Sequence, residues 1–409
     1  MRSLSAYTAA LTCVATANAL APIALAFAVL DLGGSVSDVG WILAARTIPQ
    51  LLLLLVGGVV ADRCPRYLVV LTSSAAQAVT FGAAGGLLAA GSRSLPVLAI
   101  LVCANGIATA FTYPAISGML PQLVSVKQLP QATSVTGTFT RCGAVLGMVA
   151  GGLVAMRSVT GSGLLVAAVM MAGAGAAVWS LRRVASGATA TGTGIVRGLA
   201  EGWREFAGHS WLWVTVTGFC AVNLVMAGAW MTIGPVIAEQ SIGRAAWGLA
   251  MGAFAAGLGL GHLVLFRLRP RYLLAWGIAA SAAAAPAVAV LTAPRTAMLV
   301  PLSLLAGVGL GFFSAAWRTT LGQRIPTDRL SRVSSIDGLG SFVAIPVGQI
   351  LAGRLAEATS PRAVALAGAI VVAVAVAAML GPRSVRRLPN VSLGEPDRQA
   401  APEELARSR

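Results

Sequence analysis

The chain has little charge and few side chains suited to catalysis. Only 10% of its 409 residues are Asp, Glu, Lys or Arg, against about 25% in a soluble domain. Its two histidines and five scattered cysteines form no Cys-x-x-Cys or Cys/His pattern, which argues against a disulfide framework or a zinc site. It has no Gly-x-x-x-x-Gly-Lys-Ser/Thr segment and therefore no built-in ATP motor. These absences predict a protein that is not an enzyme and uses no cofactor.

Long apolar runs fill most of the chain instead. Hydrophobic residues make up 57% of it, and the mean hydropathy is +0.83. Runs near 20 residues are typical of membrane spans, and backbone groups in lipid must bond within a helix. The runs lack the polar alternation of a membrane barrel. We predict an all-α integral membrane protein with twelve spans, at 6–30, 37–61, 66–90, 95–117, 131–156, 161–181, 211–235, 245–266, 271–292, 296–321, 333–356 and 361–380.

The net charge of +16 is unevenly distributed between the predicted turns. If both ends lie inside, the inside turns hold more than twice as many Lys and Arg residues as the outside turns. This is the positive-inside asymmetry of membrane proteins. It predicts a multi-pass protein with both termini in the cytoplasm, and it explains the basic composition without a nucleic-acid partner.

The chain divides into two halves around one long interior connection. We predict an N-terminal six-helix bundle at 1–181, a cytoplasmic linker at 182–210, a C-terminal bundle at 211–382 and a disordered tail at 383–409. Within the linker, apolar residues from Ile195 to Phe206 share one helical face, which favours an interfacial amphipathic helix over a plain solvated linker.

The two halves also resemble each other in sequence. When 106–152 is shifted by 201 positions, Gly106, Gly147 and Gly152 meet Gly307, Gly348 and Gly353 without a gap. The agreement continues through a polar turn, where Gln122 meets Gln323. Two parallel six-helix repeats are typical of one large class of secondary transporters.

The turn after the second span carries a recognisable motif, Gly58-x-x-x-Asp62-Arg63-x-x-Arg66. With two sets of six spans and a long central connection, it resembles the major facilitator superfamily. Residues 111–124, Leu129-Pro-Gln-Ala, Glu201-Gly-Trp-Arg and the segment 332–339 resemble its enterobactin-exporter-like branch. The resemblance covers nearly the whole chain before residue 385.

This resemblance implies a role for the charged turn. Asp62, Arg63 and Arg66 would latch the two halves together in the outward-facing state, and Gly58 belongs to the same motif. Span 11 is expected to begin near Ser334 and Ser335, whose hydroxyls can cap it, so Asp337 would lie in its first turn and join the latch. The alternative is that Arg63 and Arg66 only fix the topology.

A glycine-rich stretch in the fifth span bears on direction. Gly143, Gly147, Gly151 and Gly152 resemble the glycine motif of exporters in this superfamily, except that Met148 stands where the family has Pro. Glycines let helices approach closely and can resist leak between the halves. Generic small-residue packing is the alternative in a chain with 47 glycines.

Polar side chains within the spans predict a substrate cavity. Arg318 lies near a span end and can snorkel, whereas Arg46 and Arg141 lie deeper, where charge is costly. Each can instead form a structural ion pair, Arg46 with Asp31 or Asp38, and the amides can simply join helices. The predicted cavity residues are Asn18, Arg46, Gln50, Asn105, Arg141 and Asn223.

Carboxylates are informative because none is expected at the membrane midplane. Family knowledge implies that proton antiporters for cationic drugs commonly place one there, so we expect a neutral or anionic amphipathic cargo. Asp31, Asp38 and Glu239 near the outer face are the candidates for proton coupling.

Together these features predict an exporter of a small amphipathic compound (a drug, siderophore or natural product), driven by the proton gradient. We expect it to act as a monomer in a bacterial cytoplasmic membrane, in contact with lipid. The alternatives are an importer with the same fold and a non-transporting membrane receptor or scaffold.

Overall fold

The computed structural model describes residues 2–155, 160–182, 207–268, 270–325 and 327–390. Within these ranges the chain is helical and forms no strand. Twelve long helices, labelled α1 to α12, follow in order: Arg2–Asp31, Val36–Arg63, Arg66–Ala89, Leu95–Ser117, Leu129–Val154, Ser162–Trp179, Ser210–Gln240, Arg244–Leu268, Leu273–Thr292, Thr296–Arg324, Thr327–Ala358 and Pro361–Leu380.

The helices match the predicted spans within a few residues, apart from the ends of α7 and the start of α11. In the described part of the chain, ten helices are long and apolar enough to cross a membrane. The helix α2, which bends by 52°, makes an eleventh. The helix α11 is the twelfth long helix, with 32 residues. A helix bonds its own backbone, so apolar runs of this length are stable in lipid.

The start of α11 differs from the prediction in a way that matters for function. The helix begins at Thr327, not near Ser334. Asp337 therefore lies about 15 Å along the helix, at 1.5 Å per residue, rather than in its first turn. The expected cap was wrong because hydropathy marks the apolar part of a helix, while backbone hydrogen bonding continues into polar sequence.

Each half builds its own core from equivalent helix pairs. In the N-terminal half α1 packs on α5 and α2 on α4; in the C-terminal half α7 packs on α11 and α8 on α10. Two buried apolar clusters follow this division, one mainly from α1–α6 and the other mainly from α7–α12.

The two halves meet through α2 with α11 and α5 with α8. Close backbone contacts lie at the end of the molecule where α1 finishes. There Gly152 faces Gly248, and Gly353 faces Ser37. We call this the Asp31 end, and the opposite end, where α2 finishes, the Asp62 end.

The predicted linker helix falls at residues 195–206, outside the described residues. Of the predicted tail, residues 383–390 are described and are folded: a short helix spans Arg383–Arg386. The Asn390 N–H then donates to the Arg271 carbonyl at 2.8 Å, and Gln323 donates to the Asn390 side chain at 2.9 Å. The first part of the tail thus packs on the C-terminal half at the Asp62 end.

Candidate functional site

A cavity of about 620 Å³ lies in the C-terminal half, between α7, α10 and α11. It occupies the part of these helices nearer to the Asp62 end. Its walls are mostly apolar, with a few polar groups set among them. The lining residues are Thr215, Val216, Phe219, Asn223, Leu310, Phe313, Ser314, Trp317, Arg318, Leu321, Asp337, Gly338, Ser341 and Phe342.

Two opposite charges line this cavity. Asp337 accepts a hydrogen bond from Trp317 Nε1 at 2.9 Å and one from the Ser341 hydroxyl at 3.3 Å. Arg318 is exposed to the cavity side of α10. Among the described residues the two form no ion pair with each other, although the Arg318 charge acts on Asp337 electrostatically. A carboxylate therefore lies inside the helix bundle, ten residues beyond the start of α11, whereas the sequence placed Asp337 in the first turn of this helix.

Aromatic rings form the apolar wall beside these charges. Phe219 and Phe313 stack with ring centroids 3.5 Å apart, and Trp317 lies 6.2 Å from Phe313 in a nearly parallel orientation. Flat apolar surfaces of this kind suit an aromatic or otherwise hydrophobic part of a ligand.

Of the predicted cavity residues, only Asn223 lines this cavity. Its side chain donates to the Ser341 carbonyl at 3.0 Å, which joins α7 to α11 beside Asp337. Gln50 is half-buried on α2, and Arg141 is exposed on α5; neither lines the cavity in the C-terminal half.

The remaining three predicted residues meet inside the N-terminal half. The Arg46 guanidinium donates to the side-chain oxygens of Asn105, at 3.1 Å, and Asn18, at 2.5 Å, and lies over the Phe81 ring. Asp31 and Asp38, which were considered as partners for Arg46, bond elsewhere.

This buried network extends along α3 and α4. Asn105 donates to Thr80 at 2.9 Å, and Gln77 donates to Thr112 at 2.7 Å while accepting from Thr109 at 3.1 Å. Polar groups buried among membrane helices are stable when they bond to each other. The arrangement supports the helix-joining alternative for Asn18 and Asn105.

At the Asp31 end, Arg244 joins both halves. Its guanidinium contacts Asp31 at the end of α1, and it bonds Glu239 through Nε at 2.7 Å and through Nη2 at 3.0 Å. It also donates to the Ala155 carbonyl at 2.9 Å and lies over the Phe27 ring. Two predicted proton-coupling residues, Asp31 and Glu239, thus share one arginine.

The third, Asp38, has a local role. It forms a capping box with Ser35 at the start of α2, accepting from the Ser35 N–H at 2.8 Å. Nearby, Glu357 at the end of α11 accepts from the Ser37 N–H at 3.1 Å, which adds a second polar contact between the halves at the Asp31 end.

The predicted glycine motif serves two interfaces. Gly143, Gly147 and Gly151 face α1, and a Cβ at Gly147 would lie 2.3 Å from the Thr16 carbonyl oxygen. Gly152 alone faces the other half, where a Cβ would lie 2.1 Å from Gly248 Cα. Of the four glycines in the motif, the last one therefore takes part in the close contact between the halves.

The charged turn at the Asp62 end bonds within its own half. Arg66 donates to the Gly118 carbonyl at the end of α4 and pairs with Asp62 at 3.2 Å. Arg63 is exposed, and no atom lies within 4 Å of a Cβ placed on Gly58. In the described part of the chain Asp62 and Asp337 share no hydrogen bond or ion pair.

The structure therefore holds the halves together at the Asp31 end, while the cavity of about 620 Å³ lies towards the other end. Sequence reasoning missed Arg244 and the cavity role of Phe313, and it favoured snorkelling for Arg318 and a packing role for Trp317, both of which line the cavity. The Trp317-Arg318 pair inside an otherwise apolar span was the available signal, since an arginine beside an aromatic residue more than one turn from a helix end has reason to face a cavity.

A family model described as the Major Facilitator Superfamily matches residues 7–265 and 220–408. Among solved structures, the nucleoside transporter NupG superposes with a TM-score of 0.74 at 15% identity, covering 93% of this chain and 100% of that one. A bacterial homologue of the human lysosomal transporter Spinster, in an inward-facing and unoccupied conformation, gives 0.73 at 16%, covering 94% and 97%. A bacterial homologue of the iron transporter ferroportin, in an inward-facing state, gives 0.71 at 17%, covering 93% and 99%. No curated protein sequence gives a significant match.

Proposed function

The chain belongs to the Major Facilitator Superfamily, and from that premise we propose that it exports a small amphipathic compound by proton-coupled antiport. It is a multi-pass membrane transporter rather than an enzyme. The direction of transport, the chemical class of the cargo and the energy source are proposals. We also propose that the protein belongs to the enterobactin-exporter-like branch and lies in a bacterial cytoplasmic membrane with both termini inside.

The observation that carries the proposal is the cavity beside α7, α10 and α11. It combines an aromatic wall with isolated polar groups, a lining that fits a molecule with one hydrophobic and one polar part. Its volume of about 620 Å³ is within the range of small-molecule sites.

Alternating access would move this cargo across the membrane. If the basic turns lie inside, as their charge predicts, the cavity faces the cytoplasm and Arg244 closes the outer side. Rocking of the halves would then break the contacts of Arg244 with Asp31 and Ala155 and bring the Asp62 turn towards α11. Repeats that rock about a central site are the general mechanism of this architecture.

Two features support outward transport driven by protons. Gly152 and Gly248 bring α5 and α8 into backbone contact at the Asp31 end. If that end faces outward, this contact favours retention of the gradient while the cavity loads from inside. Asp31 and Glu239, both on Arg244, are placed so that their protonation would weaken the ion pairs that hold the outer side closed.

Accumulation of aromatic amphiphiles in cells tests this function. Cells would express wild type, Asp62→Asn or the control Arg295→Gln, an exposed arginine at the start of α10, at matched membrane levels. We expect wild type and Arg295→Gln to lower accumulation of at least one compound, and a protonophore or Asp62→Asn to abolish this effect.

The alternatives give different results in the same assay. If the protein raises accumulation and this effect needs Asp62, it is an importer. If the protein lowers accumulation equally with and without the protonophore, the proposal of proton coupling is wrong. Equal accumulation with and without the protein, across cationic, neutral, anionic and zwitterionic compounds, would contradict broad amphiphile export.

A further inference from the structure

The cavity in the C-terminal half presents both signs of charge to one ligand. Asp337 on α11 and Arg318 on α10 line it together, yet they form no ion pair with each other. Oppositely charged groups that share a low-dielectric space attract strongly. Two such groups that stay apart leave each with capacity for a further charged partner.

Neighbouring residues fix the position of the carboxylate. Trp317 and Ser341 each donate to one of the two Asp337 oxygens, and Asn223 holds the Ser341 backbone. Each oxygen accepts only one of these bonds, so lone pairs remain for a donor in the cavity. Arg318 follows Trp317 directly in the chain and has no hydrogen bond to another described residue, which leaves its donors open to the cavity.

We propose that this cavity binds a zwitterionic aromatic amphiphile, with its ammonium at Asp337, its acidic group at Arg318 and its ring against Phe313 and Phe219. This deepens the proposed function, on which it rests, by naming the charge class of the cargo. It replaces the neutral or anionic preference expected from the sequence, which rested on the absence of a carboxylate at the membrane midplane and left Asp337 out of the cavity.

The charges themselves favour a zwitterion over an ion of either sign. A purely cationic ligand at Asp337 would bring its charge close to Arg318, and a purely anionic ligand at Arg318 would face Asp337. Only a ligand with both charges gives each side chain a partner, and a charge that leaves water needs a partner to be stable.

Three fluorescent probes that share the dansyl ring separate these cases. Dansylcadaverine is cationic, dansyl-6-aminohexanoate is anionic and Nε-dansyl-lysine is zwitterionic at neutral pH. Binding to purified protein in detergent would be followed by energy transfer from tryptophan, since Trp317 lines the cavity. This measurement needs no transport, so binding can succeed where export fails, and the two proposals are judged separately.

We expect Nε-dansyl-lysine to bind at least tenfold more tightly than either singly charged probe. Asp337→Asn is expected to weaken the zwitterion and the cation about tenfold, about 1.4 kcal/mol, without weakening the anion. Arg318→Gln is expected to weaken the zwitterion and the anion by a similar factor without weakening the cation. The conservative variants Asp337→Glu and Arg318→Lys should restore most of the lost affinity.

Matched controls lie outside the cavity. Asp38→Asn removes a carboxylate charge from the local capping box of α2. Arg324→Gln removes a guanidinium from α10, where its side chain donates to the Pro389 carbonyl. Both should bind all three probes as wild type does. Monodisperse elution of every variant in detergent shows that it is folded.

The proposal is wrong if the zwitterion binds no more tightly than both singly charged probes. It is equally wrong if Asp337→Asn and Arg318→Gln weaken all three probes alike, because a general structural effect would then explain the loss. Absence of saturable binding by the zwitterion to folded wild-type protein would also overturn it.

Discussion

One side chain, Arg244, ties four chain segments together at the Asp31 end. It contacts Asp31 and Ala155 of the N-terminal half, Glu239 of its own half and the Phe27 ring. Only 17% of the Arg244 side chain is exposed, so water can replace little of this bonding. Opening of this end must break the bonds to Asp31 and Ala155, while Glu239 can move with Arg244.

Arg244→Gln should therefore favour the state that is open at the Asp31 end. Loss of a charged hydrogen-bond network costs about 2 kcal/mol, which is a factor of roughly 30 in the ratio of the two states. The reporter is a cysteine in place of Thr232, which is fully buried and whose Cγ2 lies 3.6 Å from the position of a Cβ added to Gly40 of the other half. In protein with the five native cysteines replaced, its alkylation by a maleimide should accelerate at least tenfold.

Arg295→Gln is the control, since this arginine is exposed at the same end. It should leave the alkylation rate unchanged. An Arg244→Gln protein with the same alkylation rate as wild type would show that the contacts of this arginine do not hold the end closed.

The sequence indicated which polar side chains are unusual in membrane spans better than it indicated where those side chains face. Arg46, Asn18 and Asn105 were correctly singled out as unusual polar groups in membrane spans, and the structure brings them together. They face one another inside the N-terminal half rather than the cavity. The sequence could not show this, because helices that are apolar on every face give no periodic signal from which their rotation could be predicted.

At the scale of helices, glycines at matching repeat positions make matching contacts. A Cβ at Gly106 would lie 2.1 Å from the Arg46 carbonyl oxygen, and one at Gly307 would lie 2.1 Å from that of Phe254. The 201-residue repeat was visible in the sequence because both halves need the same close approach of α2 to α4 and of α8 to α10. The sequence could not indicate which glycines face the other half.

Gly152 and Gly248 form the closest of these contacts between α5 and α8. A Cβ at Gly248 would lie 2.6 Å from Gly152 Cα, and backbone atoms cannot move aside as a flexible side chain can. Gly152→Ala and Gly248→Ala should each destabilise the state closed at the Asp31 end by about 1–3 kcal/mol, the usual cost of overpacking. Faster alkylation of the Thr232→Cys reporter would measure this.

Gly259→Ala, also on α8, is the matched control, because no atom lies within 4 Å of its added Cβ. It should leave the rate unchanged, or lower it slightly if Ala stiffens the helix. If Gly248→Ala behaved like Gly259→Ala, the α5–α8 contact would be too loose to govern closure of this end.

At the scale of the whole molecule, two charged clusters lie at opposite ends, and the predicted latch role of the Asp62 turn would assign them to opposite states. Arg244 joins the halves at the Asp31 end in the present structure, whereas the ion pair that the structure describes for Asp62 is with Arg66 of its own half. The resemblance to the superfamily assigns the Asp62 turn to the other state, as a latch. The latch stays a prediction. A sequence carries the residues for both states at once, so it could not indicate which contacts between the halves are made in this structure.

If the two clusters stabilise opposite states, a substitution in one cluster should counteract the effect of a substitution in the other on the equilibrium between these states. Asp62→Asn should weaken the state closed at the Asp62 end and so slow alkylation of the Thr232→Cys reporter, while Arg244→Gln should accelerate it. Because the two sites lie at opposite ends and share no partner among the described residues, their free-energy effects on the equilibrium should add. The double variant should then have a rate between those of the single variants, within the roughly twofold error expected for additive sites. Acceleration by both single variants, or a double variant outside their range, would show that Asp62 does not latch the opposite state.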